Sequence, residues 1–210
     1  MAELDHLIFA SPDVPAGVAH IRDLTGVEAI AGGPHLGHGS HNYLLTFDES
    51  TYFEIIGVDP DQPDPEGPRP FGLDDMTAPK LVGYAIHPTG DETLEDVVAA
   101  MSAAGIDAGR IAEMSRQKPD GTVISWRLTF GGETGVASEG ALPFAIDWGD
   151  QPSPATTLPS MGRLVSVHVS HPDAAVRASA EALGLGVEVT EGPAALRAVV
   201  ETTSGTVEIS

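Results

Sequence analysis

Leu4-Asp5-His6-Leu7-Ile8-Phe9-Ala10-Ser11-Pro12-Asp13 begins with an apolar run and stops at a Ser-Pro-Asp turn. The run is of strand length, and Ser, Pro and Asp are favoured where helices start. Ala16 to Leu24 then repeats apolar residues at helical spacing, with Val18, Ile21 and Leu24 on the predicted core face. The same punctuation returns twice, at His87-Pro88-Thr89 after Leu81–Ile86 and at His171-Pro172-Asp173 after Arg163–Ser170. A helical pattern follows each, Thr93 to Ala104 before Gly105 and Ala174 to Leu183 before Gly184. Hairpin signals follow the helices: His41–Phe47 with Tyr52–Val58, Thr122–Phe130 with Leu142–Trp148, and Leu196–Thr202 with Thr206–Ile209 around Ser204-Gly205. Gly32-Gly33-Pro34 and Gly37-His38-Gly39 read as a loop.

A strand, helix and hairpin that recur in order mark a duplicated unit. They predict an α+β fold of repeated βαβββ-type modules. The first spans residues 1–58, the second 80–150, and a third, shortened one 162–210. A Pro-rich connector occupies 59–79, with Pro60, Pro63, Pro65, Pro68, Pro70 and Pro79, and a Pro/Ser/Thr connector occupies 151–161.

Composition narrows the function. Of 210 residues, 41% are apolar, enough for a packed core. Acidic residues number 31 and basic residues 10, a formal charge of −21 that repels phosphate backbones and anionic lipid. No nucleic-acid or membrane role is expected. No apolar run approaches the roughly 20 residues that span a bilayer, and Met1 to His6 lacks a basic leader, so the expected location is cytoplasmic. The absence of cysteine excludes disulfides, thiolate metal sites and cysteine nucleophiles. No Gly-x-Ser-x-Gly elbow and no Walker A sequence occurs.

Several motifs together resemble one family. They are the opening stretch with Pro12-Asp13, Gly32 to Asn42 (Gly-Gly-Pro-His-Leu-Gly-His-Gly-Ser-His-Asn), Tyr52-Phe53-Glu54-Ile55-Ile56, Ser115 to Gly121 with Trp126-Arg127, and Leu142 to Trp148. In order and spacing they resemble the vicinal oxygen chelate superfamily, most of all its glyoxalase-like domain branch. That resemblance implies curved mixed sheets around a cavity, as in glyoxalases, bleomycin-resistance proteins and dihydroxybiphenyl dioxygenases, with all modules packed as one domain. It implies a cavity for a small oxygenated molecule, and an isomerase or lyase that stabilises an enolate or oxyanion. Dioxygenation is less favoured, because it needs a second histidine ligand. The alternative is a metal-free protein that binds and sequesters a small molecule.

In that superfamily a divalent metal commonly sits between a residue on a module's first strand and a Glu on its last. His6 and Glu54 hold those places, and Zn, Fe, Mn or Ni suits such a pair. Polar side chains within apolar strands need partners, so a hydrogen-bonded His6–Glu54 pair without metal is the other reading. Matching Pro172 with Pro12 puts Ser166 at the His6 position, and matching Pro88 puts Val82 there. Glu208 and Asp147 match Glu54 in the later units, which makes Glu208 the candidate third ligand, while His168 would face the same side as Ser166. Arg116 is the expected catalytic cation for a carboxylate or enolate. His35, His41, Asn42, Trp126 and Asp147 are the expected substrate contacts. Phe144 and Trp148 read as core rather than pocket wall. A monomer or a homodimer is expected, since three units do not pair evenly.

Overall fold

The structure, a computed structural model, describes residues 2–131, 135 and 137–210. The chain runs β1 (Glu3–Ala10), α1 (Val14–Thr25), β2 (Ile30–His35), β3 (Ser40–Thr46), β4 (Tyr52–Val58), β5 (Lys80–His87), α2 (Leu94–Ala103), β6 (Arg110–Gln117), β7 (Val123–Phe130), β8 (Phe144–Asp147), β9 (Arg163–His171), α3 (Ala174–Ala182), β10 (Glu188–Glu191), β11 (Ala195–Thr202) and β12 (Gly205–Ile209). None of the described helices is long and apolar enough to cross a membrane.

The punctuation residues act locally as expected. Asp13 caps α1 by accepting from the Ala16 N–H at 2.9 Å. Thr93 and Asp96 form a reciprocal capping box on α2. Asp173 caps α3.

Eight strands close into a barrel in the order β1-β4-β3-β2-β6-β7-β8-β5. In each half the first strand lies parallel to the last, β1 to β4 and β5 to β8, because a helix carries the chain across. Side-chain alternation then sorts two cores. Leu7 and Phe9 point out of the barrel, where they meet Val14, Val18 and Ile21 of α1 and Tyr84 of β5. Ile8 and Ala10 point inward with Ile56, Trp126, Phe144 and Ile146. Each fully buried Leu, Ile or Phe contributes roughly 2 kcal/mol by leaving water.

The halves meet at two unequal seams. Strands β1 and β5 pair along their length from Glu3↔His87 to Ala10↔Lys80, with register shifts at Asp5 and between Ile8 and Phe9. Strands β2 and β6 pair only at His35↔Arg116. The Gly32–Pro34 stretch, expected as loop, is part of β2, with a register shift between Ala31 and Gly33 against β3. Arg116, expected just before a turn, lies inside β6, a strand that its mixed polar and apolar sequence concealed.

The third unit has the element order of the others but not their pairing. Its sheet runs β10-β9-β11-β12. Strand β9 pairs parallel with β10 and antiparallel with β11, so β12 stands at an edge away from β9. In the first module the corresponding last strand, β4, pairs directly with β1. The crossover through α3 delivers the short β10 to one flank of β9, and β11 takes the other. Val167, Val169, Leu196, Ala198 and Val200 of this sheet join the core outside the barrel.

Candidate active site

The inner barrel face encloses a cavity lined by side chains from β1, β2, β3, β4, β6, β7 and β8. Its free volume is only about 50 Å³, with Phe71 and Phe130 among the residues around it. Most of its wall is apolar, so the few polar groups are conspicuous.

His6 is 2% exposed and sits at the wall from β1. Its ring stacks on Tyr52, with centroids 4.3 Å apart. Its Nδ1 donates to Asp5 Oδ1 at 2.6 Å. Strict alternation would send Asp5 to the opposite face of β1, but the register shift between Leu4 and His6 releases it. Asp5 also accepts from the Trp148 indole N–H at 3.2 Å. His87 Nδ1 lies 3.1 Å from Asp5 Oδ2, within ion-pair distance but off the angle of a hydrogen bond. Burial opposes the Asp5 charge, yet the His6 hydrogen bond and the charges of His6 and His87 prevail and hold its pKa below the ordinary value. Asp5 is therefore ionised at neutral pH. It keeps the proton on His6 Nδ1 and leaves Nε2 for the cavity.

That Nε2 lies 3.6 Å from Glu54 Oε2. Glu54 Oε1 accepts from the Asn42 amide at 2.6 Å and lies 3.6 Å from His35 Nε2. Asn42 Nδ2 is also 3.3 Å from His35 Nε2, and His35 Nδ1 contacts the Ser40 hydroxyl at 2.9 Å. Burial pushes the His35 pKa down to about 4; the Glu54 charge opposes this and Arg116 reinforces it. His35 is thus neutral at pH 7. The Tyr52 hydroxyl is held well above its ordinary pKa, first by burial and then by the Asp5 and Glu54 charges.

Arg116, 5% exposed, lines the same cavity. Among the described residues no carboxylate comes within ion-pair distance of its guanidinium, and no side chain or backbone group hydrogen-bonds it. Burial lowers its pKa from the ordinary value, against the pull of Tyr52 and Glu54. The buried Trp126 Nε1–H and Asn42 Oδ1 also lack hydrogen-bond partners among the described residues.

The structure therefore brings His6, Glu54, Arg116, His35, Asn42 and Trp126 together. It does not bring the other three. His41 alternates with Asn42 on β3 and packs its ring against Tyr43 instead. Asp147 faces away from Ile146 and Trp148 and pairs with Arg127 at 2.7 Å. Glu208 is exposed on β12, bound to Arg197 at 3.0 Å, because the third sheet does not follow the barrel's pairing. His168, on β9, contacts Glu188 at 3.0 Å. Phe144 and Trp148 line the cavity, as Tyr52 does.

The donor set was tested against a divalent metal. Among the described residues no three His, Asp or Glu side chains converge as a metal group. His6 and His35 approach different oxygens of Glu54, and the Asn42 N–H takes one of those oxygens. A catalytic zinc needs three protein ligands, and the described residues do not present three that converge. The residues do not fit a metal.

The description "Glyoxalase-like domain" matches residues 4–186. The chain belongs to this family. It is a vicinal oxygen chelate fold of α+β class, an eight-stranded barrel with a four-stranded sheet beside it. No curated protein matches the sequence. Among solved structures, this glyoxalase-like chain is similar to a hypothetical protein from Staphylococcus aureus, at 14% identity and a TM-score of 0.61 over 93% of this chain and 88% of that one. A variant of 4-hydroxymandelate synthase from Streptomyces coelicolor is 14% identical, with a TM-score of 0.51, over 99% of this chain and 62% of that one. Methylmalonyl-CoA epimerase in complex with methylmalonyl-CoA is 18% identical over 73% and 99% of the two chains, with a TM-score of 0.47. At these identities the likeness is one of fold.

Proposed function

We propose that this glyoxalase-like protein is an isomerase- or lyase-type enzyme that moves a proton beside the carbonyl of a small oxygenated anion. One observation carries this reading. Arg116 holds a buried cation that no carboxylate of the described residues pairs with at ion-pair distance, although the Glu54 charge acts on it. An unpaired buried charge costs several kcal/mol, and a substrate carboxylate or enolate removes that penalty.

The chemistry follows from the wall. Arg116 and the Trp126 N–H hold the substrate oxygens. A base takes the proton from the carbon beside the carbonyl, the C–H electron pair becomes the new C=C bond, and the C=O π pair moves onto the oxygen. The resulting enolate oxygen carries its charge beside Arg116. His6 Nε2 and Glu54 Oε2, 3.6 Å apart, are the groups within reach of that proton. The group that accepts the proton returns it to the enolate oxygen or to the neighbouring carbon, which leaves an isomer. Elimination of a neighbouring leaving group gives the lyase outcome. Asn42 fixes Glu54, and Asp5 fixes His6. The donor set gives no reason to route a step through a metal.

The test is proton exchange. Small 2-oxo and 3-oxo acids are incubated with the protein in D2O, and deuterium entering the α-carbon is followed by NMR. Exchange that Glu54→Gln slows at least 100-fold supports the reading. Acids that bind in an Arg116-dependent way but never exchange, across the whole panel, would replace it with sequestration.

A further inference from the structure

A second cavity, of about 490 Å³, lies against the open seam between β2 and β6 and shares Leu44 and Arg116 with the barrel cavity. Its floor is Gly32 on β2 and Arg116 on β6; its far wall is the Pro152–Leu158 connector. Arg116 lines this cleft and the barrel cavity alike. Gly32 makes that sharing physical, because a Cβ at this position would collide with Arg116 Nη1 and Asn42 Oδ1. Gly33, at φ +127°, lets the β2 backbone close on the Gln117 carbonyl just where the pairing ends.

The charge of the cleft is opposite to that of the chain. Its ionisable lining side chains are Arg116, Lys118 and Asp120, a net positive set in a protein of 10 basic and 31 acidic residues. Asp120 stays charged, since its Oδ1 accepts from the Thr122 N–H at 2.9 Å and the Lys118 charge also favours its ionised form, so the set carries one net positive charge. Ser153, Thr156 and Thr157 add neutral hydroxyl-bearing side chains to the wall. The barrel cavity, at about 50 Å³, has no room for more than the reacting end of a metabolite.

We infer that the cleft is an anion subsite, and that the substrate is an elongated metabolite spanning Arg116. Its oxygenated head occupies the barrel, and an oxyanion tail, phosphate or carboxylate, reaches Lys118. This rests on the proton-transfer reading for the head, while the tail site stands on the cleft itself.

Three probes test it: butyrate, glutarate and 4-phosphonobutyrate, which share a carboxylate head and differ in the tail. Calorimetry gives their affinities. The fluorescence of Trp126 and Trp148, the two tryptophans and both on the barrel wall, reports head binding. The two tailed probes are expected to bind at least fivefold tighter than butyrate. Lys118→Glu is expected to abolish that advantage and leave butyrate affinity unchanged. A phosphonate advantage without a glutarate advantage narrows the tail to phosphate. Equal affinity of all three, or a tail advantage that survives Lys118→Glu, overturns the subsite; the head reading stands if butyrate binding still depends on Arg116. Tailed probes that bind through Lys118 without altering tryptophan emission keep the anion subsite and overturn the spanning substrate. Should no probe bind, both readings fall.

Discussion

Asp5 and His6 are neighbours on one strand, yet the carboxylate of the first accepts a 2.6 Å hydrogen bond from the ring of the second. A regular strand forbids this, because successive side chains leave opposite faces. The register shift in β1 permits it and places an ionised carboxylate behind the imidazole. The bulge is therefore part of the candidate catalytic apparatus.

Asp5→Asn removes the charge while keeping the shape. The proton on His6 Nδ1 is then no longer fixed, and the wrong tautomer presents N–H to the cavity. We expect at least a tenfold loss of α-proton exchange with little change in ligand affinity, by analogy with other orienting carboxylates. A drop in unfolding free energy of about 1–2 kcal/mol should accompany it, measured by urea titration. Unchanged exchange in a folded variant would remove Asp5 from the mechanism.

Arg116→Met should trade function for stability. Replacing an unpaired buried guanidinium with an apolar chain of similar length relieves its desolvation penalty. Tm should stay level or rise, while carboxylate affinity falls at least tenfold. Calorimetry on the same samples reads both, and a clear fall in Tm would show that the guanidinium has a protein partner.

His35 predicts an acid dependence of stability. Folded, it takes a proton only near pH 4; unfolded, near pH 6.5. Between those values the unfolded chain binds more protons, so this contribution is complete above about pH 6.5 and is lost as pH falls. The whole window amounts to about 3 kcal/mol. His35→Gln should flatten the pH slope of unfolding free energy by about 1 kcal/mol per unit between pH 4.5 and 6.5. His87 acts with the opposite sign, because Asp5 raises its pKa, so its contribution fades as pH rises. The difference between wild type and His35→Gln isolates the first effect.

Gly32→Ala places a methyl group where Asn42 and Arg116 now lie. Overpacking of this kind costs about 1–3 kcal/mol. The displaced Asn42 should release Glu54, so proton exchange and carboxylate binding should fall together. Gly37→Ala is a control of a different kind, since its Cβ meets nothing and only its φ of +79° is strained. It should lower Tm without touching exchange.

Much of the fold was legible because it rests on period and punctuation. Helix caps, Pro-marked strand ends and the alternation of Leu7 and Phe9 against Ile8 each have a local cause. Strands β2, β6 and β10 were missed because their patterns are glycine-rich, polar or brief. The pairing of the third sheet was also hidden, for strand order depends on which flank a crossover reaches and not on element order. That is why Glu208 was expected beside His6 and lies instead on another sheet. Within the site, His6, Glu54, Asn42 and Arg116 were visible as polar residues in apolar or motif-bearing strands. Asp5 was not, because a bulge cancels the alternation by which a sequence is read. Asp147 misled for the opposite reason, since it obeys alternation and faces outward to Arg127.

The residues that line the barrel cavity all fall between His6 and Trp148, and the sheet of residues 163–209 supplies none of them. That sheet instead lays its apolar face against the outside of the barrel. The chain thus separates its chemistry from its scaffolding along its own length. The last quarter is a buttress, laid against a candidate chamber that the first three quarters enclose.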